Sequence, residues 1–441
     1  MAPADASTKP SERDRAGIGA ATVALLPWGD VFHDFLDRLG VSLDAFCSEF
    51  TGSWMFGYAA ALRQVGVRTL VIVPTTSVDE PRRAVHRPTG AALLFLPTPG
   101  MFPWLRARSL GARLDGRRDI GSLARAAATH VAPYVGTPPI GLARALRRER
   151  CVALLCQEYE SPRFDVCVAL GRALRIPVYA TFQGGDYQMS RLERPLRPLA
   201  LRGCNGIVVG ARSEIERVGR RYRLPDGKIA RIANPVDLSV WAPGDRLSSR
   251  HDLGLSADAS VVAWHGQVQV WRKGLDVLLE AFRRVEATRP GRELRLLLVG
   301  SGEDAPELRR RIGKAGPPSV LFVDEWVQDR ARLARMLGAA DVYAFPSRHE
   351  GLPVAPVEAM ACGLPVVGAD ASGVADAVGE TGIVVPRNDA PALAAALGGL
   401  LDDAERRREL GNATRRRVEE RFGLDAVGAQ LRDLLIPASR R

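Results

Sequence analysis

The chain is patterned as short apolar runs separated by longer stretches in which apolar residues recur at helical spacing. In the first half each run is four to seven residues long and ends at a polar, glycine or proline position, as buried strands do. The runs are Ala21–Pro27, Val67–Val73, Ala91–Leu96, Val152–Cys156, Pro177–Phe182 and Gly206–Gly210. Alternation of such runs with helical segments predicts a parallel α/β sheet.

The second half repeats this pattern. Its predicted strands are Ser260–Trp264, Leu294–Val299, Val320–Val323, Val342–Phe345, Leu364–Val367 and Ile383–Val385. Helices are predicted at Leu275–Val285, Asp329–Ala339 and Ala390–Leu401. With 441 residues the chain is long enough for two cores, so we predict two α/β domains.

The domain bounds follow from composition. Residues 1–17 are polar and are predicted to be a disordered tail, and 18–237 form the first domain. Residues 238–257 are polar and broken by proline and glycine, as a linker is. The second domain is predicted at 258–420, with a final segment at 421–441.

The most informative stretch is Asp341–Gly368, which predicts a strand, a loop, a helix and a second strand. Pro356 suits the first helical turn, where a missing N–H costs nothing. The loop carries Glu350 and the first helical turn carries Glu358. A helix start favours an anion, while carboxylates accept hydrogen bonds from hydroxyl groups. The combination fits a nucleotide-sugar, but the two glutamates taken alone also fit a simpler interpretation in which Glu358 complements the helix dipole and Glu350 is a solvated loop residue.

The whole string HEGLPVAPVEAMACGLPVV resembles the family 4 glycosyltransferases, part of the superfamily called glycosyl transferases group 1, which includes glycogen and sucrose synthases. The resemblance implies the GT-B fold, in which two Rossmann-like domains face each other across a cleft. It also implies retaining transfer of a sugar from a nucleoside diphosphate to an acceptor hydroxyl. The family signature is two glutamates separated by seven residues, so Glu350 is expected at the transferred sugar and Glu358 at the ribose. In GT-B proteins the last helix crosses back to the first domain, and we expect this of 421–441.

The same resemblance places a diphosphate clamp after the first strand of the second domain. Lys273 matches the family lysine, but Gln267, after Gly266, stands where the family has arginine. Arg272 is a candidate replacement for that cation. Backbone N–H groups of Gly351 and Leu352 are expected to help hold the leaving phosphate.

Candidates on the acceptor side lie in the first domain. Gly52 and Ser53 occupy the place of a glycine loop that faces the cleft in the family. Glu158 and Tyr159 follow a strand end, where ligands of parallel sheets gather. In the loop after the next strand stand the last two candidates, Gln183 and Asp186.

The loop that holds these two residues departs from the family. Gln183 stands where members commonly have histidine, and it can bind a hydroxyl but cannot act as a base. Asp186 is a candidate either to accept the acceptor's proton or to orient the loop.

Two other functions remain open at this stage. Gly300 and Gly302 begin a G-x-G-x-x-A string that also occurs in dinucleotide-binding dehydrogenases, with Asp324 and Glu325 near the end of the next strand. The two glutamates have no role in an NAD(P)-dependent oxidoreductase. The second alternative is a silent nucleotide-sugar binder, suggested by Gln183 and Gln267.

Composition limits the partners. The net charge is +11, and 101–150 holds ten arginines against Asp115, Asp119 and Glu149. This excess of +7 fits either peripheral contact with an anionic membrane or a solvated arginine-rich face. The absence of interleaved aromatic residues argues against nucleic acid. Six scattered cysteines and the lack of a long apolar run predict a cytoplasmic protein without disulfides, metal or cofactor.

Overall fold

The computed structural model describes residues 21–32, 36, 41–50, 54–112, 120–183, 192–225, 227–315 and 319–437. Side chains are described in these ranges except at 54, 108–112, 120–127 and 315. The predicted tail 1–17, Gly52, Ser53 and Asp186 lie outside the described residues.

The first domain contains an eight-stranded sheet in the order β3-β4-β2-β1-β5-β6-β7-β8. Its strands are β1 (Thr22–Leu26), β2 (Arg68–Thr75), β3 (Arg82–His86), β4 (Ala91–Pro97), β5 (Cys151–Cys156), β6 (Val178–Phe182), β7 (Gly206–Val209) and β8 (Ile229–Ala230). All neighbours pair in parallel except β3 and β4, which are antiparallel.

Eight helices of this half are described. They are α1 (Leu43–Ser48), α2 (Trp54–Gln64), α3 (Met101–Ala112), α4 (Ile120–Val135), α5 (Pro139–Arg148), α6 (Pro162–Leu174), α7 (Glu193–Gly203) and α8 (Arg212–Tyr222). Strand side chains alternate between two cores: Val23 and Leu25 of β1 face one side of the sheet, and Ala24 and Leu26 face the other.

The second domain contains a six-stranded parallel sheet in the order β11-β10-β9-β12-β13-β14. Its strands are β9 (Ser260–His265), β10 (Leu294–Val299), β11 (Val320–Val323), β12 (Val342–Phe345), β13 (Val366–Ala369) and β14 (Ile383–Val385). The helices of this half are α9 (Arg246–Asp252), α10 (Leu275–Ala287), α11 (Ala305–Ala315), α12 (Arg330–Gly338), α13 (Ala355–Ala361), α14 (Val374–Val378), α15 (Ala390–Asp402), α16 (Ala404–Arg421) and α17 (Leu424–Leu435), with a 3₁₀ turn at Gly379–Thr381.

The chain returns to the first domain at its end. Val427, Leu431 and Leu435 of α17 lie in the same core as Ala61 and Leu62 of α2. The helices approach so closely that a Cβ on Gly428 would stand 2.2 Å from the Ala61 carbonyl oxygen. This contact between α17 and α2 holds the two domains together at the C-terminal end of the chain.

Two largely parallel sheets with flanking helices confirm the predicted fold class, but several elements differ from the sequence interpretation. Helix α3 was not predicted from the sequence; it forms because Pro103 falls within the first helical turn, where proline is tolerated. The predicted linker contains the short helix α9, capped by Asp245. Strand β3 was missed because it is a mostly exposed edge strand with little apolar alternation.

No helix among the described residues combines the length and the hydropathy needed to cross a bilayer.

Candidate active site

A cavity of about 320 Å³ lies where the two domains meet, at the carboxyl end of β9. Gly57 of α2 and Phe50, just after α1, line it from the first domain. His265, Gly266 and Glu358 line it from the second. Its remaining wall comes from the chain between the domains, the end of β10, the loop after β11, the first turns of α12 and the start of α13. These residues are Asn234, Pro235, Trp241, Val299, Gly300, Glu325, Trp326, Val327, Gln328, Arg330, Leu333, Val354 and Ala355. A cleft at strand ends between two α/β domains is a usual place for a ligand.

Glu358 is the buried carboxylate of this cavity. One of its oxygens is 3.0 Å from Nε2 of His265, and the other accepts from Arg330 at 3.4 Å. Burial raises the pKa of Glu358, but the His265 hydrogen bond and the Arg330 charge outweigh burial and leave that pKa below its ordinary value. Glu358 is therefore ionised at neutral pH and can accept hydrogen bonds from ligand hydroxyls.

The ionised state of Glu358 fixes the tautomer of His265. Because a carboxylate can only accept, Nε2 of His265 must carry the proton that lies between them. Nδ1 is then an acceptor when the imidazole is neutral, and it has no hydrogen-bond partner among the described residues. Nε1 of Trp241, a donor stacked beside the same ring, also lacks such a partner. Two residues of the cavity wall thus carry a buried acceptor and a buried donor that have no partner among the described residues.

Glu350 and Lys273 form a second pair. Nζ of Lys273 donates to Oε1 of Glu350 at 2.7 Å, and both side chains are largely buried. Tyr343 is buried near both pairs, and its hydroxyl donates to the His265 carbonyl oxygen at 3.3 Å. Burial raises the pKa of Tyr343 most, and the charges of Glu358 and Glu350 raise it as well, so the hydroxyl remains protonated.

Arg348, which the sequence analysis did not single out, holds the two loops of this second pair together. Its guanidinium donates to both oxygens of Asp276, at 2.7 and 2.9 Å, and its backbone N–H donates to the Arg272 carbonyl oxygen at 2.9 Å. The loop that carries Lys273 is therefore fixed against the loop that carries Glu350. Nε of Arg272 is buried without a hydrogen-bond partner among the described residues, which leaves it a donor for an anion.

The loop after Glu350 is in contact with both domains. A Cβ on Gly373 would lie 1.6 Å from the Gly351 carbonyl oxygen, and one on Gly210 would lie 2.5 Å from a methyl group of Leu352. Gly210 follows β7 of the first domain. Position and conformation of the Glu350 loop therefore depend on the domain contact.

The glycines of the G-x-G-x-x-A string have a packing role. Gly300 has φ 147°, and a Cβ there would stand 1.9 Å from the carbonyl oxygen of Gly266, which also has φ 147°. A Cβ on Gly302 would meet the Val268 carbonyl oxygen at 2.5 Å. Asp324 and Glu325 form ion pairs with Arg309 and Arg332. These contacts account for the string without a dinucleotide.

The acceptor-side candidates are only partly brought to the cavity. Gln183 accepts from the Asn234 side chain at 2.8 Å, and Asn234 lines the cavity. Glu158, at φ 62°, accepts from the Gln183 backbone N–H at 3.2 Å. Gln267 is half-buried beside Gly266.

Tyr159 is fully buried and points to a different part of the domain. Its hydroxyl donates to Glu214 and accepts from Arg217 at 2.8 Å, within a charged network that also includes Glu160. The structure therefore gives Tyr159 a place in the core of the first domain and not along the cavity.

Sequence reasoning missed Arg348, and it missed residues of the cavity wall such as His265, Trp241, Asn234 and Arg330. His265 had a weak signal, because it ends a buried strand directly before Gly266. The others had none, since nothing in local spacing links them to Glu358. Among the described residues, no group of three or more histidine, cysteine or acidic side chains is arranged to hold a metal ion.

Comparison with known proteins agrees with this geometry. Residues 259–403 match the family model of the glycosyl transferases group 1. D-inositol 3-phosphate glycosyltransferase 2 of Catenulispora acidiphila is 34% identical over 241 residues, which are 52% of this chain and 55% of that protein. The corresponding enzyme of Xylanimonas cellulosilytica is 33% identical over 249 residues, 54% of this chain and 58% of its own. The chain thus spans a little over half the length of these curated relatives.

Solved structures show the same fold. Sucrose-phosphate synthase from Thermosynechococcus elongatus superposes with a TM-score of 0.65 at 22% identity, covering 94% of this chain and 98% of its own. Anabaena HepE, solved in complex with UDP and glucose, gives a TM-score of 0.64 at 16% identity, covering 94% and 99%. This chain therefore has the GT-B fold, and residues 259–403 of its second domain match the model of the glycosyl transferases group 1, in agreement with the family resemblance drawn from its sequence.

Proposed function

We propose that this protein transfers a sugar from a nucleoside diphosphate sugar to an acceptor hydroxyl, with retention of anomeric configuration. The observation that carries the proposal is the pair of buried glutamates, each held by a cationic or imidazole partner, beside a cavity between the two domains. Glu350 is hydrogen-bonded to Lys273, and Glu358 is hydrogen-bonded to His265 and Arg330. Both glutamates lie within the region that matches the family model.

The donor fits this site by charge and by hydrogen bonding. Glu358 is an ionised acceptor for the ribose hydroxyls, and the family resemblance assigns Glu350 to the transferred sugar. Lys273 and Arg272 supply positive charge for the diphosphate. The complexes of HepE with UDP and with UDP-glucose support a nucleotide-sugar donor of this kind.

The chemistry needs no protein nucleophile in this proposal. As the bond from the sugar to the diphosphate breaks, the sugar becomes oxocarbenium-like and negative charge grows on the leaving phosphate. Lys273, Arg272 and the N–H groups of Gly351 and Leu352 stabilise that charge. A phosphate oxygen takes the acceptor's proton, and closure of the domains keeps water from the donor. A divalent metal is not required by this scheme.

Acceptor and setting belong to the proposal as well. The acceptor is a hydroxyl group on a glycan, a lipid-linked molecule or a small molecule, and the inositol phosphate named for the relatives is a member of the last class. We place the reaction in the cytoplasm, with peripheral membrane contact through 101–150.

A binding screen followed by a turnover assay tests the proposal. UDP-, GDP-, ADP- and dTDP-sugars are added singly, and we expect one of them to raise the unfolding temperature. That donor should then be hydrolysed slowly without acceptor, in the presence of EDTA, with nuclear magnetic resonance showing the retained anomer. Binding without any turnover would identify a silent binder, and stabilisation by NAD(P) alone would contradict the proposal.

A further inference from the structure

Exposed apolar side chains are concentrated in one part of the first domain. Among the described residues, twelve large apolar side chains are exposed, and eight of them lie on the loop after β1, on helices α3, α4 and α5, and on or next to α7. We call these eight the apolar rim: Trp28, Met101, Trp104, Val131, Ile140, Leu192, Leu196 and Leu199. Scattered exposed apolar residues are ordinary, but a concentration of this kind marks an interaction surface.

Sheet topology places the rim at the edge that faces the cavity. Trp28 follows the end of β1, and Met101 and Trp104 follow the end of β4. Helices α5 and α7 each lead into a parallel strand, so their first turns, with Ile140 and Leu196, also lie at the carboxyl edge. The carboxyl ends of parallel strands share one edge of a sheet. The rim therefore lies on the acceptor side of the domain.

A buried arginine holds two parts of the rim together. Arg163, at the start of α6, donates to the carbonyl oxygens of Pro27 at 2.8 Å, Gly29 at 2.6 Å and Gly136 at 3.2 Å. Trp28 is thereby fixed next to the turn between α4 and α5.

A second buried arginine fixes α7. Arg197 donates to Asp165 at 2.7 Å and to Glu193 at 3.1 Å, and Asp165 also accepts from Tyr134 of α4 at 2.9 Å. Because Arg197 points inward, its neighbour Leu196 points outward, with 40% of its surface exposed. Leu199, one turn further along the helix, is 61% exposed.

Helix α3 shows the same division. Phe102 and Leu105 pack against Ala128 and Ala132 of α4. On the outward side, Met101 and Trp104 are 57% and 53% exposed. A tryptophan held outward on a packed helix is typical of side chains that enter the interface of a bilayer.

The charge near the rim is positive. Arg144 and Arg194 are exposed within a turn of Ile140 and Leu196. Basic residues around exposed tryptophan and leucine are complementary to an anionic lipid surface. We propose that the apolar rim docks on an anionic bilayer and that the acceptor hydroxyl is carried by a lipid of that bilayer. The part concerning the acceptor rests on the proposed function.

Vesicle flotation tests the proposal. We expect the protein to float with vesicles made of equal parts phosphatidylcholine and phosphatidylglycerol, and to bind vesicles of phosphatidylcholine alone much more weakly. The double variant Trp104→Ser/Leu199→Ser should lower binding to the anionic vesicles about tenfold, because it removes two of the largest exposed apolar surfaces. Leu247→Ser is the matched control, since Leu247 is 61% exposed but lies on α9, away from the rim.

The outcomes separate this proposal from the proposed function. Donor hydrolysis in solution should be equal in the wild type and both variants, because none of these residues lies at the cavity. Absence of vesicle binding in the wild type, equal binding to neutral vesicles, or unchanged binding of the double variant would each overturn the docking proposal. A dimer that the double variant dissociates would also overturn it and would assign the rim to contact between copies. If the wild type bound the vesicles but did not turn over the donor, the result would contradict the proposed sugar transfer and leave the docking proposal intact.

Discussion

At the scale of residues, the site depends on buried carboxylates that are kept charged by neighbours distant in the chain. Glu350 and Glu358 are each 8% exposed, and a charge buried to that extent is stable only with partners. Lys273 and His265 supply those partners from the loop and the strand that begin the second domain. The Glu350–Lys273 pair and the Glu358–His265 pair each lead to a separate prediction.

Lys273→Ala should lower the rate of donor turnover at least about tenfold, or ~1.4 kcal/mol in the barrier. The variant loses a cation for the leaving diphosphate and leaves Glu350 buried without its partner. Steady-state kinetics measures the loss, and Lys228→Ala in the first domain is the control. Wild-type kinetics in the first variant would contradict the role of Lys273.

His265→Phe should make nucleotide binding depend on pH. The substitution keeps a ring beside Trp241 but removes the N–H donor, so burial is less well opposed and the pKa of Glu358 rises. Below that raised pKa the carboxyl is protonated and accepts hydroxyls poorly. Titration calorimetry should therefore show affinity falling toward acid pH in this variant and not in the wild type. The surface variant His251→Phe should show the same pH dependence as the wild type. Nucleotide affinity that does not change with pH in His265→Phe would contradict the proposal that His265 keeps Glu358 ionised.

At the scale of elements, the strand ends of the second domain are packed backbone against backbone. Gly266 and Gly300 both have φ 147°, and the space between them admits no side chain. Gly266 and Gly300 directly follow β9 and β10, so the contact between them fixes the position of the cavity wall.

Gly300→Ala should destabilise the protein by roughly 1–3 kcal/mol or more, because the backbone conformation and the Gly266 carbonyl oxygen both oppose a Cβ. Gly313→Ala is the matched control: it lies in α11 with nothing within 4 Å of the added Cβ, and it should be neutral or slightly stabilising. Urea denaturation of the two variants measures the difference. Equal urea midpoints for the two variants would show that the loops at Gly266 and Gly300 can move apart to accommodate a Cβ.

At the scale of the whole molecule, the cavity exists only while the domains are in contact. Asp376 of α14 accepts from Arg231 at 2.7 Å and from the Arg212 backbone N–H at 2.7 Å, across the domain boundary. Ser213 and Ser372 form a further hydrogen bond of 3.1 Å beside them. These contacts lie next to the Gly210–Leu352 packing, so they favour a closed arrangement that also holds the Glu350 loop.

Asp376→Ala should shift the protein toward an open arrangement. We expect a larger radius of gyration by small-angle X-ray scattering and a raised KM for the donor. Asp402→Ala removes the ion pairs with Arg289 and Arg292, which lie within the second domain, so it should change neither quantity. A compact Asp376→Ala variant with unchanged KM would show that other contacts close the cleft.

The sequence by itself determined most of the strands along the chain, the α/β class and the unit that holds Glu350 and Glu358. These features are written in local apolar periodicity and in one contiguous string, which is why they were predictable. The sequence also identified Lys273, because the family pattern places a lysine there, and the structure brings it within 2.7 Å of Glu350.

Only the tertiary structure decided which side chains meet. His265 and Glu358 are 93 positions apart in the chain, and their contact depends on the parallel pairing of β9 with β12 and on the helix that follows β12. Tyr159 follows a strand end, as a ligand-binding residue does, but its hydroxyl is taken up by Glu214 and Arg217. A strand end fixes where a residue lies along the sheet, whereas burial and hydrogen-bond partners from other elements decide whether its side chain enters the core or the cavity.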